Sequence, residues 1–338
     1  MTNKIVSNAC PVFGALIGNW KNIAIPAENN ELLTGSEANP LSYNIMPLPQ
    51  KGGNNVGFIL KNFTYYETLK INNENDVAAP ATAPNREGTY QQDVQAWFYS
   101  QQVRFAEGPD TNKVIHEENG AWLDLTTRGP QKIGPYEKGE NLSSSSDVPK
   151  QPEDIGIAKQ MAVPHGNSIL SLGQIYDVQK GAPEIHNANA YPTNIKNGET
   201  PADFKAIYNE NLSSLNDYQN PNTDYTLNPN KPIQDAASLI KPTHYRKWHV
   251  TTKKLEDGQG AIVNIPFTKI STDVVQYEAT YWLLSNDGGI NYDYLLYTQN
   301  ISMIININEG ENKGEYNFPH ITCNALTREN SKSISAKL

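Results

Sequence analysis

Long segments whose apolar residues fall on every second position constrain this chain more than any other feature, because successive side chains of a β-strand point to opposite faces, whereas a helix repeats about every 3.6 residues. In GFILKNFTYYETLKI, Ile59, Phe63, Tyr65, Leu69 and Ile71 share one face, while Asn62, Thr64 and Thr68 take the other. YDYLLYTQNISMIINI likewise places Leu295, Tyr297, Ile301, Met303, Ile305 and Ile307 together, against Thr298, Asn300 and Ser302. Segments of this kind, bounded by Gly, Pro, Asn and Ser clusters, predict strands near 13–23, 41–48, 56–71, 93–105, 113–125, 157–163, 168–176, 245–253, 261–267, 273–284, 292–307 and 316–326. Without regular helical alternation they argue against a βαβ fold, and their length favours an antiparallel β-barrel over a sandwich.

Helical signal is concentrated in one stretch. Thr200-Pro201-Ala202-Asp203 reads as an N-cap, a first-turn proline and an early acidic residue, followed by Phe204, Ile207, Tyr208, Leu212 and Leu215 at helical spacing, and a shorter helix is expected at 235–240. The chain therefore reads as a single barrel domain, 1–338, carrying a partly helical insertion at 180–244 that packs across one end, either as a lid or as core cover. A long Pro- and Ser-rich loop is expected at 127–156.

Charge excludes one class of partner. A net charge of -9, with no Lys/Arg run, opposes nucleic-acid binding, which needs clustered cations against phosphate. No apolar stretch approaches the roughly 20 residues of a transmembrane helix, and the opening MTNKIVSNACPVFGALIG is too polar for a signal peptide, so a soluble, cytoplasmic protein is expected. Cys10 and Cys323 supply neither a disulfide framework nor a zinc ribbon; two unpaired buried thiols are the preferred reading over one bridge.

The end of the chain carries a family resemblance. After the strand segment LLYTQNISM, the run YNFPHITCNALTR resembles the final strand of nitrobindin-like proteins, with His320, Ile321, Ala325, Leu326 and Arg328 in similar positions and one extra residue after the histidine. Leu16-Ile17-Gly18-Asn19-Trp20 is similar to the opening of that family and of fatty-acid-binding and lipocalin barrels, where the Trp plugs the barrel base. Larger bacterial and fungal proteins known as haem-binding or fatty-acid-binding-like share NFTYYETLKI, APNREG, HEENGAWLDL, VPHGNSIL, VNIPF, ATYWL and FPHITCNAL in this order. The resemblance implies a ten-stranded calycin-type barrel, with haem b bound through the final-strand histidine, here His320. Peroxidase-like or isomerase-like activity would follow only with such a cofactor.

Six histidines are available for chemistry. His320 is either the haem-iron ligand or a hydrogen-bonded core histidine, and His165, at a bend after Pro164, is either a distal group or a turn cap. Alternation puts His116, Glu118 and Gly120 on one face of their strand and Glu117 and Asn119 on the other. Trp20, Trp122 and Tyr297 complete the expected cofactor pocket, and Trp97, Tyr99, Tyr277, Tyr281 and Trp282 could also wall a planar ligand or simply fill the core. The spacing of His244 and His249 suits neither a strand nor a helix metal pair, and no HExxH, P-loop, Rossmann or GxSxG motif is present. Three functions remain: a haem-binding barrel, a non-catalytic carrier of a lipid or pigment, and an interaction protein with a packed barrel. A homodimer stays open.

Overall fold

The computed structural model describes residues 10–25, 33–34, 39–50, 56–72, 81–84, 90–130, 157–163, 167–209, 223–253, 263–266, 273–308 and 310–329. In chain order the strands are β1 (Gly18–Ile25), β2 (Leu33–Thr34), β3 (Asn39–Pro40), β4 (Ser42–Pro49), β5 (Phe58–Phe63), β6 (Tyr65–Asn72), β7 (Ala81–Pro84), β8 (Tyr90–Phe105) and β9 (Val114–Pro130). They continue with β10 (Ile157–Ala162), β11 (Asn167–Ile175), β12 (Gln179–Lys180), β13 (Thr193–Asn194), β14 (His244–Thr251), β15 (Val263–Pro266), β16 (Asp273–Ser285), β17 (Tyr294–Ile307) and β18 (Gly314–Arg328). Four helices are described: α1 (Cys10–Gly14), α2 (Ala202–Asn209), α3 (Thr223–Leu227) and α4 (Lys231–Ile240).

Ten of the strands close a ring. Antiparallel pairing runs β1–β6–β8–β9–β10–β11–β14–β16–β17–β18 and returns to β1, where Trp20 faces Arg328 and Asn22 faces Leu326. Closure leaves this ring without an exposed edge. Two wall positions are composite. β4 continues the line of β1 along β18, with Thr322 opposite Asn44, and pairs on its far side with β5; β15 continues β14 along β11.

Residues near the N-terminus plug one end. The segment expected as a strand from Phe13 begins instead with α1, where Phe13, fully buried, points its ring at Trp97, Trp122 and Trp248 with centroids 5.2, 5.4 and 6.3 Å away. Trp20 belongs to the same cluster. Its Nε1 donates to the Leu16 carbonyl at 2.8 Å, and the Arg328 guanidinium lies 4.5 Å above its ring. Arg328 also donates to the carbonyls of Ile17, at 2.5 Å, Ala15 and Tyr292, so one side chain of the last strand ties the chain's beginning to its end.

The helices of the 180–244 segment cover an outer face of the wall, not the barrel end across which the insertion is expected to pack. Phe204 and Tyr208 of α2 and Ile233, Ala236, Ala237 and Ile240 of α4 pack with Tyr43, Ile45, Phe58, Phe318, Cys323 and Ala325. α4 starts four residues earlier than expected, with a proline in its first turn, and ends at Lys241 in the left-handed conformation. Cys323 is a free buried thiol donating to the Pro229 carbonyl at 2.9 Å. β9 runs to Pro130, into the expected 127–156 loop, whose residues 131–156 lie outside those described, as do Leu212 and Leu215. Among the described residues no helix is long and apolar enough to cross a membrane.

Because Phe13 is fully buried among Trp97, Trp122 and Trp248, Phe13→Ala should destabilise the protein by about 3–5 kcal/mol, read as a lowered urea midpoint with an unchanged slope.

Candidate functional site

Above the plug the barrel interior is polar, and it is organised around a buried cation. Lys159, the one charged residue of the strand IAKQMA, is 4% exposed. Its Nζ lies 3.2 Å from Glu118 Oε1 and donates to the hydroxyls of Tyr277 and Tyr281 at 3.1 Å each. The rings of Tyr99, Trp122, Tyr277 and Tyr281 surround it, with centroids 5.3–5.7 Å from the ammonium. Burial alone would lower its pKa, but Glu118 and the tyrosines raise it well above the ordinary value.

Glu118 stands where alternation puts it, facing inward beside His116, whose Nε2 is 3.6 Å from Glu118 Oε2. Tyr99 donates to Glu118 Oε1. Burial raises this carboxyl, yet Lys159, His116 and Tyr99 outweigh it and hold the pKa at about 2. Gly120 permits the arrangement: a Cβ there would come 2.1 Å from the Gln160 carbonyl oxygen and 2.7 Å from the Tyr99 hydroxyl.

A second carboxyl is built differently. Glu67, 2% exposed on β6, accepts at Oε2 from Tyr297 and from Asn324 Nδ2 at 2.8 Å, while Oε1 has no hydrogen-bond partner among the described residues. Asn22 fixes the frame, its Oδ1 accepting from the Glu67 backbone N–H at 2.5 Å and its Nδ2 donating to Asn324 Oδ1 at 2.7 Å. Burial raises the Glu67 pKa; Tyr297, Asn324 and Gln101 oppose this, and the Glu118 charge adds to it.

Next to these groups lies a cavity of about 390 Å³, lined by Glu118 but not by Lys159 or Glu67. Tyr65, Gln101, His116, Glu118 and Tyr297 line its polar part, with Asn44, Gln299, His320 and Thr322 further round the wall; Phe63, Val103, Phe105, Met161, Ile169, Ile301 and Met303 supply apolar sides. Tyr65 and Tyr297 hydroxyls are 3.2 Å apart, Tyr65 donates to the Cys323 carbonyl at 2.9 Å, and Gln101 Nε2 donates to Tyr297 at 3.3 Å. His320 is half-buried, its Nε2 2.9 Å from Asn44 Oδ1, which also accepts from Thr322 at 3.0 Å.

Of the expected pocket residues, the structure thus brings His320, His116 and Tyr297 to one cavity. Trp20 and Trp122 lie instead in the aromatic plug cluster, where Trp122 presents its ring to Lys159. His165 lies outside the described residues. His249 faces another surface, with Nδ1 3.0 Å from Thr280 Oγ1. Among the described residues none of 180–244 lines the cavity, and no group of three or more His, Cys, Asp or Glu is placed to hold a metal ion. The sequence reading missed Lys159 and Glu67, although each is a charge on the otherwise apolar inward face of its strand.

Comparison with known proteins adds little. No protein-family model matches the chain and no curated protein sequence matches it. It is similar to a crystal structure of Rv2717c from M. tuberculosis at 11% identity over 96% of this chain and 99% of that one, with a TM-score of 0.38, too loose a superposition to bear on fold or function.

Lys159→Met leaves Glu118 buried without its cation and should cost about 3–5 kcal/mol, much of it recovered in Lys159→Met/Glu118→Gln; equal losses in single and double variants, measured by urea denaturation, would contradict the pairing. The two carboxyls have opposite linkage. Glu118, depressed from 4.5 to about 2, contributes stability present above 4.5 and lost as pH falls toward 2. Glu67, raised above 4.5, contributes stability present below 4.5 and lost as pH rises through its folded value, so Glu67→Gln should gain on the wild type as pH rises above 4.5 and not below it.

Proposed function

We propose that the barrel binds a small, mostly apolar molecule in this cavity, with its polar end turned to the floor made by Gln101, Glu118 and Tyr297. One observation carries the reading: a cavity of about 390 Å³ with apolar walls and a few convergent polar groups, within the roughly 300–1,000 Å³ usual for ligand sites. A ten-stranded ring is wider than the roughly eight-stranded barrels that side chains alone can fill, which is the geometric reason for the hollow. A packed interior, required by the interaction-protein reading, has no support on this side of the plug. The reading of the chain as nitrobindin-like and calycin-like draws support from the ten-strand closure and from the place of His320.

Haem b, held through His320, is the second reading. Its support is that the imidazole stands in the cavity wall, with His116 lining the same space. The Nε2 contact with Asn44 must open before that atom can meet iron. Bound there, the iron would supply peroxide or nitrogen-oxide chemistry.

Titration with the uncharged apolar dye 1-anilinonaphthalene should give saturable fluorescence in the wild type and at least a tenfold loss of affinity in Val103→Trp and Ile169→Trp, which fill the cavity; unchanged binding in both variants would place the dye elsewhere. Added haem producing a Soret band that disappears in His320→Ala supports the second reading, and dye binding without a Soret band supports the carrier.

A further inference from the structure

Two lysines are relevant to what the polar end of a ligand can be. Lys159 is sealed beneath the cavity and committed to Glu118. Lys61, which lines the cavity, lies over the Phe105 ring at 4.7 Å and is four residues from Tyr65, roughly 13 Å along an extended wall. Glu118, meanwhile, presents an anionic carboxylate to the cavity. The floor around Tyr297 is therefore unfavourable for a carboxylate ligand and open to a neutral oxygen.

Proton placement decides which neutral oxygen. Glu67 has no cation among its described partners and an Oε1 without a hydrogen bond, an arrangement costly for an anion and tolerable for an acid. The titratable groups around it are Tyr65 on its own strand, Tyr297 on β17 and Glu118 on β9, none of them cationic. Tyr297 donates to Glu67 Oε2 when Glu67 is a carboxylate; when Glu67 is the acid this bond reverses, Oε2–H donates to the Tyr297 oxygen, and the Tyr297 proton is released from Glu67. Tyr65 has given its own proton to the Cys323 carbonyl. Among the described residues the Tyr297 proton then has the Tyr65 oxygen, at 3.2 Å, well beyond the roughly 2.7–2.8 Å common for hydroxyl pairs. That long contact is readily exchanged for a better acceptor arriving from the cavity.

We propose that the ligand's polar end is an uncharged carbonyl, as in a ketone, aldehyde or quinone, whose oxygen accepts a hydrogen bond from Tyr297 with Glu67 behind it as the second donor of a relay. This rests on the cavity being a ligand site. Tyr297 touches the ligand; Glu67 is a positioning residue that sets the direction of the Tyr297 proton.

The test uses the full chain and three naphthalene probes of one shape: the ketone 6-propionyl-2-dimethylaminonaphthalene, its 6-propyl analogue, and the 6-carboxylate. The expected order is ketone tightest, the propyl analogue roughly tenfold weaker, as for the loss of one buried hydrogen bond, and the carboxylate weakest. Tyr297→Phe should abolish the ketone's advantage and leave the propyl analogue's affinity unchanged, which also shows that the variant folds. Glu67→Gln, whose amide can still donate to Tyr297, should keep ketone binding and remove its decline with rising pH. Equal affinity of ketone and propyl analogue, a carboxylate that binds tightest, or a Tyr297→Phe loss shared by both neutral probes overturns the carbonyl assignment while the ligand site stands. Failure of every probe, together with failure of the anilinonaphthalene dye, removes the ligand site itself.

Discussion

A buried ammonium is the constraint from which the interior of this barrel follows. Lys159 cannot leave water for the inside of a closed wall unless an anion and several oxygen acceptors meet it there. Glu118 supplies the charge, and Tyr277 and Tyr281 supply oxygens. Each of these groups needs its own support: Tyr99 reaches Glu118 only because Gly120 leaves room for its hydroxyl. The lower half of the ring is thus solid with aromatic and ionic packing, and the upper half, wider than its side chains can fill, is left as the cavity. Plug and hollow are two consequences of one arrangement.

The wall itself is buried on both faces over part of its circumference. On β18, Thr322 and Asn324 face the interior while Cys323 and Ala325 pack under α4, and on β4, Asn44 and Met46 face inward while Tyr43 and Ile45 face the helices. Apolar side chains here mark the outside of the barrel as much as the inside, and polar ones mark the site. The helical insertion therefore acts on the cavity from behind: it supports the strand carrying His320, and the Cys323 thiol donates to the Pro229 carbonyl just before α4.

That two-sidedness explains what could be read from the sequence. Alternation identified the strands and the closed barrel, and it placed His116 with Glu118, Phe63 with Tyr65, and Tyr297 with Ile301 on inward positions. It failed for Phe13, because a one-turn helix and a strand start look alike when a few apolar residues precede a glycine. The polar half of the site was legible in principle. Glu67 in TYYETL and Lys159 in IAKQMA are charged at positions whose parity points inward, but parity alone cannot say whether an inward charge meets water, a ligand or an opposite charge 41 residues earlier, as Lys159 meets Glu118 across β10 and β9. Only the register of β10 against β9 brings Lys159 to Glu118, and register over a 26-residue span outside the described structure, 131–156, has no signature in local sequence.

One cation shared between two buried carboxyls also divides their chemistry. Glu118 takes the ammonium, and with it a pKa far below the ordinary range; Glu67, held by Tyr297 and two asparagines, receives hydrogen bonds but no charge. Ionising both would leave an uncompensated anion in a low-dielectric interior, the costliest state available to this set of side chains. Environment therefore moves the two carboxyls in opposite directions, Glu118 toward the anion and Glu67 toward the acid. On the proposed reading of this cavity as a ligand site, hydrogen-bond polarity discriminates before shape does, since the apolar walls fit many outlines while Tyr297 and Glu118 suit few oxygens.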